Sequence, residues 1–195
     1  MSDVRVNPPS VRSYGTTAQE TFGSIRTSLE TLVSDAVAVD YYGPNAVDFK
    51  TKCGQLAADL ANALTTDMTK IADAVKTTTS NIAAALGGPP VDIQFNGSQI
   101  NPPAVPQGDE SVGANLPALE GVKGTASTHF TAISGQFDAH LTSLQSTDWV
   151  GTAKENAVSA VSGFTQSAKT KIQEANTELS TFVDKQIEEI GKANK

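Results

Sequence analysis

The chain has 195 residues, of which 6% are aromatic and 18% charged, with a formal net charge of −7. So few aromatics do not fill a thick globular core; the abundant Ala, Thr and Ser suit long helices packed along narrow seams. The first 98 residues carry 10 acids and 7 bases and the remainder 11 and 7, so no basic stripe tracks a phosphate backbone and nucleic acid is excluded as a partner.

The opening MSDVRVNPPSVRSYG lacks the apolar run of a secretory signal peptide, and no stretch of about 18 apolar residues reads as a membrane span. Asn7, followed by Pro8 and Pro9, supplies an N-cap and a first turn. Val11, Tyr14, Ala18, Phe22, Ile25, Leu29, Leu32 and Ala36 then step by three and four, which predicts one face of an amphipathic helix. DYYGP, from Asp40, interrupts it: Gly43 tolerates an unusual backbone angle and Pro44 fits the first turn of a second helix. Phe49, Cys53, Leu56, Leu60, Leu64, Ile71, Val75, Ile82 and Leu86 resume the period until GGPP, from Gly87, ends it. Residues 65–81 are rich in Thr, a mediocre helix former, and that end is expected to be the softer part of its hairpin.

Residues 89–117 form a Pro/Gly-rich join, long for the inside of a compact domain. Val91, Ile93 and Phe95 alternate before an Asn96-Gly97 turn signal, so a short strand or hairpin and an extended linker both fit. Leu119, Val122, Ala126, Ile133, Phe137, Leu141 and Leu144 make a third stripe. After DWVG, Thr152 with Glu155 three residues later matches a capping box. Val158, Val161, Phe164, Ala168, Ile172, Ala175, Leu179, Val183, Ile187 and Ile190 make the last stripe. The two long helices of about 40 residues each would span about 60 Å.

The chain repeats itself. DYYG at Asp40 and DWVG at Asp148 are 108 residues apart, and that offset sets Phe22 on Phe130, Ile25 on Ile133, Leu56 on Phe164 and Val75 on Val183. A second echo, VNPPSV from Val6 against INPPAV from Ile100, has an offset of 94, which predicts about 14 extra residues after the start of the second unit, around residues 106–117. The expected organisation is a first hairpin over 1–88, the join over 89–117 and a second hairpin over 118–195. Each hairpin buries too little alone, so the fold class is all-α, an elongated antiparallel four-helix bundle.

A helix, a Trp-x-Gly turn and a second helix in a unit of about 100 residues resemble the WXG family, the early-secreted-antigen-like proteins of type VII (ESX) secretion systems in actinobacteria and firmicutes. Trp149 and Gly151 carry the resemblance in the second unit, and Tyr41 and Gly43 stand at the same place in the first. The resemblance implies hairpins that pair as dimers into four-helix bundles, here fused so that each hairpin is the other's intramolecular partner. It implies a turn aromatic near the C-terminal tail of the partner hairpin, and presentation of that composite to the secretion ATPase. Another secreted helical protein is a further implied partner. It implies export without a cleavable signal peptide, from a cytoplasmic state. Exported pairs usually carry Tyr-x-x-x-Asp/Glu after the last helix; no Tyr here has an acid four residues on, and the nearest imitation is Phe182 with Gln186.

Chemistry is poorly represented. His129 and His140 lie about 16 Å apart on one helix, too far to share a metal. Cys53 sits at a core spacing, Glu188-Glu189 reads as a solvated face, and no P-loop or dinucleotide fingerprint is present. No catalytic residue, metal or cofactor is expected. A membrane-active or pore-forming protein and a targeting or chaperone module for a larger secreted partner are the alternatives to a secreted substrate or effector.

Overall fold

The computed structural model describes residues 3–93, 97–102, 104–106 and 111–194. Four long helices pack against one another as a four-helix bundle: α1 (Pro8–Ala38), α2 (Pro44–Ala85), α3 (Leu116–Gln145) and α4 (Thr152–Ala193). Four two-residue strands accompany them: β1 (Arg5–Val6), β2 (Tyr41–Tyr42), β3 (Gly113–Ala114) and β4 (Trp149–Val150).

The chain packs as two compact units, each assembled from three separated segments. Unit 1 comprises Met1–Ile25, Leu64–Ser98 and Ser134–Lys169; unit 2 comprises Arg26–Ala63, Gln99–Ile133 and Thr170–Lys195. Each unit therefore holds a portion of all four helices. The predicted α1 stripe is wholly buried, from Val11 through Phe22 and Leu29 to Ala36. Burying a side chain of Leu or Phe size stabilises by about 1.5–3 kcal/mol, and such burial is what the amphipathic pattern provides. Cys53 is buried and its thiol is pushed up to about 12 by that burial, so it acts as a small core side chain. Leu86, expected in the α2 stripe, is 61% exposed.

The Thr-rich end of α2 is one unbroken helix, and three of its hydroxyls bond back to the helix itself. Thr69, Thr78 and Thr79 donate to the carbonyls of Thr65, Ala74 and Val75. At the end of the helix the amides of Gly87 and Gly88 reach back to the carbonyls of Ala84 and Ala83, the Schellman pattern.

Three sequence expectations are corrected. First, the join forms no strand among the described residues at Val91–Ile93; Phe95 and Asn96 lie outside the described residues. Val91 and Ile93 instead point into unit 1 from an extended segment, with the Val91 carbonyl accepting from Ser80. The strand within the join is β3, and it pairs with β2 in unit 2. Second, the INPPAV echo does not mark the start of the second unit; Pro103 lies outside the described residues. Ile100 is buried in unit 2 and held by Asn62, whose side chain donates to its carbonyl at 3.0 Å and accepts from its amide at 2.9 Å. The true counterpart of Asn7-Pro8-Pro9 is Asn115-Leu116-Pro117, again 108 residues on, and α3 opens at Leu116 rather than at 118. One offset thus runs through both hairpins, with no insertion after the start of the second. Third, Thr152 is the first residue of α4 and not its cap. The Gly151 carbonyl accepts the amides of Lys154 and Glu155 and opens the helix.

Candidate functional site

The two hairpin tips are built alike. In unit 2, Asp40 precedes β2, and β2 pairs antiparallel with β3, Tyr41 with Ala114 and Tyr42 with Gly113. In unit 1, Asp148 precedes β4, and β4 pairs with β1, Val150 with Arg5 and Trp149 with Val6. Each ladder is locked by the asparagine that caps the following helix. Asn7 donates its amide to the Asp148 carbonyl at 3.0 Å and its side chain to the Asp148 carboxylate at 3.1 Å. Asn115 does the same to Asp40, at 3.0 and 3.3 Å. The asparagine side-chain oxygens meanwhile accept the amides of Ser10 and Ala118, capping α1 and α3.

Gly43 and Gly151 have φ of 110° and 119°. L residues rarely adopt that region, so both glycines are required by the backbone. Space presses on them as well: a Cβ on Gly43 would stand 2.8 Å from Val112 Cγ1, and one on Gly151 would stand 3.2 Å from the Asp3 carbonyl oxygen.

The motif aromatics do not present their rings. Trp149 is 1% exposed and its indole N–H has no protein partner. Tyr41 is 6% exposed. What the tips do expose is a matched apolar pair each, Val4 and Val150 in unit 1 and Val112 and Tyr42 in unit 2. These four residues are themselves 108 apart in pairs.

In unit 2 the tip meets the C-terminal part of α4. Gln186 donates from Nε2 to the Tyr41 hydroxyl at 3.1 Å. The Tyr41 ring stands edge-on to Phe49, with centroids 5.6 Å apart, and Phe49 stacks on Phe182 at 5.3 Å. Lys52 Nζ lies 5.5 Å from the Phe182 ring centre. The structure therefore brings together Tyr41, Gly43, Phe182 and Gln186. Trp149 and Gly151 belong to unit 1. Phe182 and Gln186 lie inside α4, which continues to Ala193, rather than in a tail beyond the last helix. A cavity of about 510 Å³ opens here, lined by Tyr41, Gly43, Val112, Gln186, Glu189 and Ile190, among others. Burial raises the pKa of the Tyr41 hydroxyl, and the Glu189 carboxylate adds to this, so the phenol stays neutral.

Unit 1 holds a separate, deeply buried polar pair. The Tyr14 hydroxyl and His140 Nε2 are 2.6 Å apart, and Phe22 covers the imidazole with ring centres 4.7 Å apart. His140 is 1% exposed, its Nδ1 has no protein partner, and burial lowers its pKa to about 4. The imidazole is therefore neutral and shares one hydrogen bond with the Tyr14 hydroxyl, and burial raises the Tyr14 pKa, so both groups are uncharged. His129 faces Asp35 instead, at 3.4 Å.

Sequence reading missed the two strand ladders and the Asp40–Asn115 and Asp148–Asn7 locks. The signal was present in Asn115-x-Pro117, which repeats Asn7-x-Pro9 at the same offset as the tips. Among the described residues no group of three or more His, Cys, Asp or Glu side chains is arranged to hold a metal ion, and no helix is long and apolar enough to cross a membrane. Comparison with protein-family models, with curated proteins and with solved structures finds no match to the chain.

Proposed function

We propose that this protein is a non-enzymatic, type VII (ESX) secretion-associated protein, a tandem WXG pseudo-dimer in one chain that acts through protein–protein contacts as a secreted substrate or effector. The observation that carries the reading is the Tyr41 tip. The WXG resemblance implies a turn aromatic beside the end of the partner hairpin, and Tyr41 of the first hairpin is hydrogen-bonded to Gln186 on the last helix of the second. The shared offset of 108 between the tips and their asparagine locks supports a duplicated ancestral unit.

On this reading the first hairpin supplies the turn and the second the helix end of a composite signal, with Phe182 and Gln186 in place of the usual Tyr and acid. The secretion ATPase is the partner that reads it, and a second secreted helical protein is a further partner. The protein is cytoplasmic before export and leaves without a cleavable signal peptide. The test compares culture supernatants of strains with and without the system's ATPase. The protein should disappear from the supernatant and accumulate inside cells lacking the ATPase; equal extracellular amounts in both would sink the reading.

A further inference from the structure

The cavity at the Tyr41 tip is open to solvent at its rim. Tyr42 and Val112, which line it, are 49% and 73% exposed, and Glu189 of α4 is exposed beside Ile190. The Tyr42 ring lies across Gly113, where a Cβ would collide with the phenol. A half-exposed aromatic ring therefore sits at the mouth of the cavity. Glu189 supplies the charge, and its carboxylate is close enough to the Tyr41 hydroxyl to hold that pKa up. Among the described residues no lysine or arginine lines the cavity, and none forms an ion pair with Glu189. Lys192 is bonded to Glu188 at 2.6 Å, and Lys52 in the neighbouring cavity lies over the Phe182 ring.

The internal repeat sharpens the contrast. At the offset of 108, the counterparts of Tyr42, Gly113 and Glu189 at the Trp149 tip are Val150, Arg5 and Asn81. That tip carries its own arginine, bonded to Asp148 at 2.7 Å. The Tyr41 tip has glycine in that place, together with a ring and a carboxylate that the other tip lacks. A planar guanidinium engages both groups at once, stacking on the ring and pairing with the carboxylate, while its apolar stem covers aliphatic surface.

We propose that this cavity is a docking site for an arginine side chain of the partner protein that reads the Tyr41 tip. The guanidinium stacks on Tyr42 and pairs with Glu189, and the stem lies against Val112 and Ile190. The partner's role rests on the export reading; the binding chemistry rests on the cavity alone.

The test titrates Nα-acetyl-arginine amide into the full-length chain and follows the methyl NMR signals of Val112, Ile190 and Ala193. The citrulline analogue, of the same shape but uncharged, and the lysine analogue are the comparison ligands. Saturable shifts are expected with a dissociation constant on the order of millimolar for so small a probe, several-fold tighter for arginine than for either analogue. Glu189→Gln should equalise arginine and citrulline, and Tyr42→Leu should weaken arginine binding several-fold. Both side chains are exposed, so neither change disturbs the core. In cells, Glu189→Gln should lower ATPase-dependent export several-fold. The proposal is overturned if the methyls do not respond, if citrulline binds as tightly as arginine, or if Glu189→Gln leaves ATPase-dependent export unchanged. Arginine binding by a protein whose extracellular amount is independent of the ATPase would overturn the export reading and uphold the arginine site.

Discussion

The Trp149 tip and the Tyr41 tip share a backbone design but differ in how firmly they are tied. At the Trp149 tip, Arg5 reaches the Asp148 carboxylate at 2.7 Å, the Asp148 amide donates to Ser10 Oγ, and Lys154 donates to the carbonyls of Gln145 and Thr147. The equivalents of Arg5, Ser10 and Lys154 at the Tyr41 tip are Gly113, Ala118 and Ala46, which have no such side-chain groups. Among the described residues, the side-chain ties at the Tyr41 tip are the asparagine lock and the Gln186 bond, and the tip borders a cavity. One tip carries polar ties where the other borders open surface. The same contrast holds in the cores. Unit 1 joins Tyr14 to His140 in its α1–α3 seam, while unit 2 has the apolar pair Val122 and Leu32 at those positions. Five of the six buried side-chain polar atoms without a protein partner, among the described residues, belong to unit 1. Leaving such an atom unpaired costs about 1–3 kcal/mol, so unit 1 is the more specified half rather than automatically the more stable one.

The comparison is tested most strongly at the tip aromatics. Trp149→Ala should cost roughly 3–5 kcal/mol, as for other buried large-to-small changes. Tyr41→Phe, which removes only the Gln186 bond, should cost about 1 kcal/mol. Urea unfolding at neutral pH followed by circular dichroism measures both. Equal costs would show that the Trp149 tip is no more deeply built in than its twin.

The next effect is a pH dependence lodged in unit 1. His140 titrates near 4 in the folded chain and near 6.5 when unfolded. Between those values the unfolded state binds the extra proton, so stability is full above pH 6.5 and is lost as pH falls toward 4. The loss amounts to roughly 3 kcal/mol for this one group. Converting the pair to its unit 2 counterpart, Tyr14→Val with His140→Leu, should remove this component. Unfolding curves at pH 7 and pH 4.5 check it; an unchanged slope in the variant would assign the acid sensitivity to carboxylates instead.

The smallest effect belongs to the extra ion pair. The Arg5 and Asp148 side chains are 61% and 44% exposed, so Arg5→Ala should cost less than about 1 kcal/mol, and added salt should shrink that further. Amide exchange is the sharper readout: Val150 and Trp149 should lose protection toward the level of Tyr41 and Tyr42. If their protection does not change, the polar tie is ornamental and the backbone ladder alone holds the tip.

Much of the fold was legible in the residue pattern because helical amphipathicity is local. Phe22, Leu29 and Val75 declare a buried face within a few turns of their own helix, and every long stripe became a helix. The tips were legible too, since Gly43 and Gly151 need a backbone angle that few other residues tolerate. Strand ladders of two residues carry no readable period, so β1 and β3 were invisible and INPPAV passed for the start of the second unit, a place that belongs to Asn115-x-Pro117.

By itself, then, the sequence determined the four helices, their turns and the duplication, because period, capping and glycine geometry act over short stretches of chain. Only the tertiary structure decided which residues far apart in sequence meet. It set Gln186 on Tyr41 and His140 on Tyr14, and it buried the one tryptophan. Those outcomes depend on which faces oppose one another across the bundle, and helical periodicity gives a face its apolar character without naming its partner.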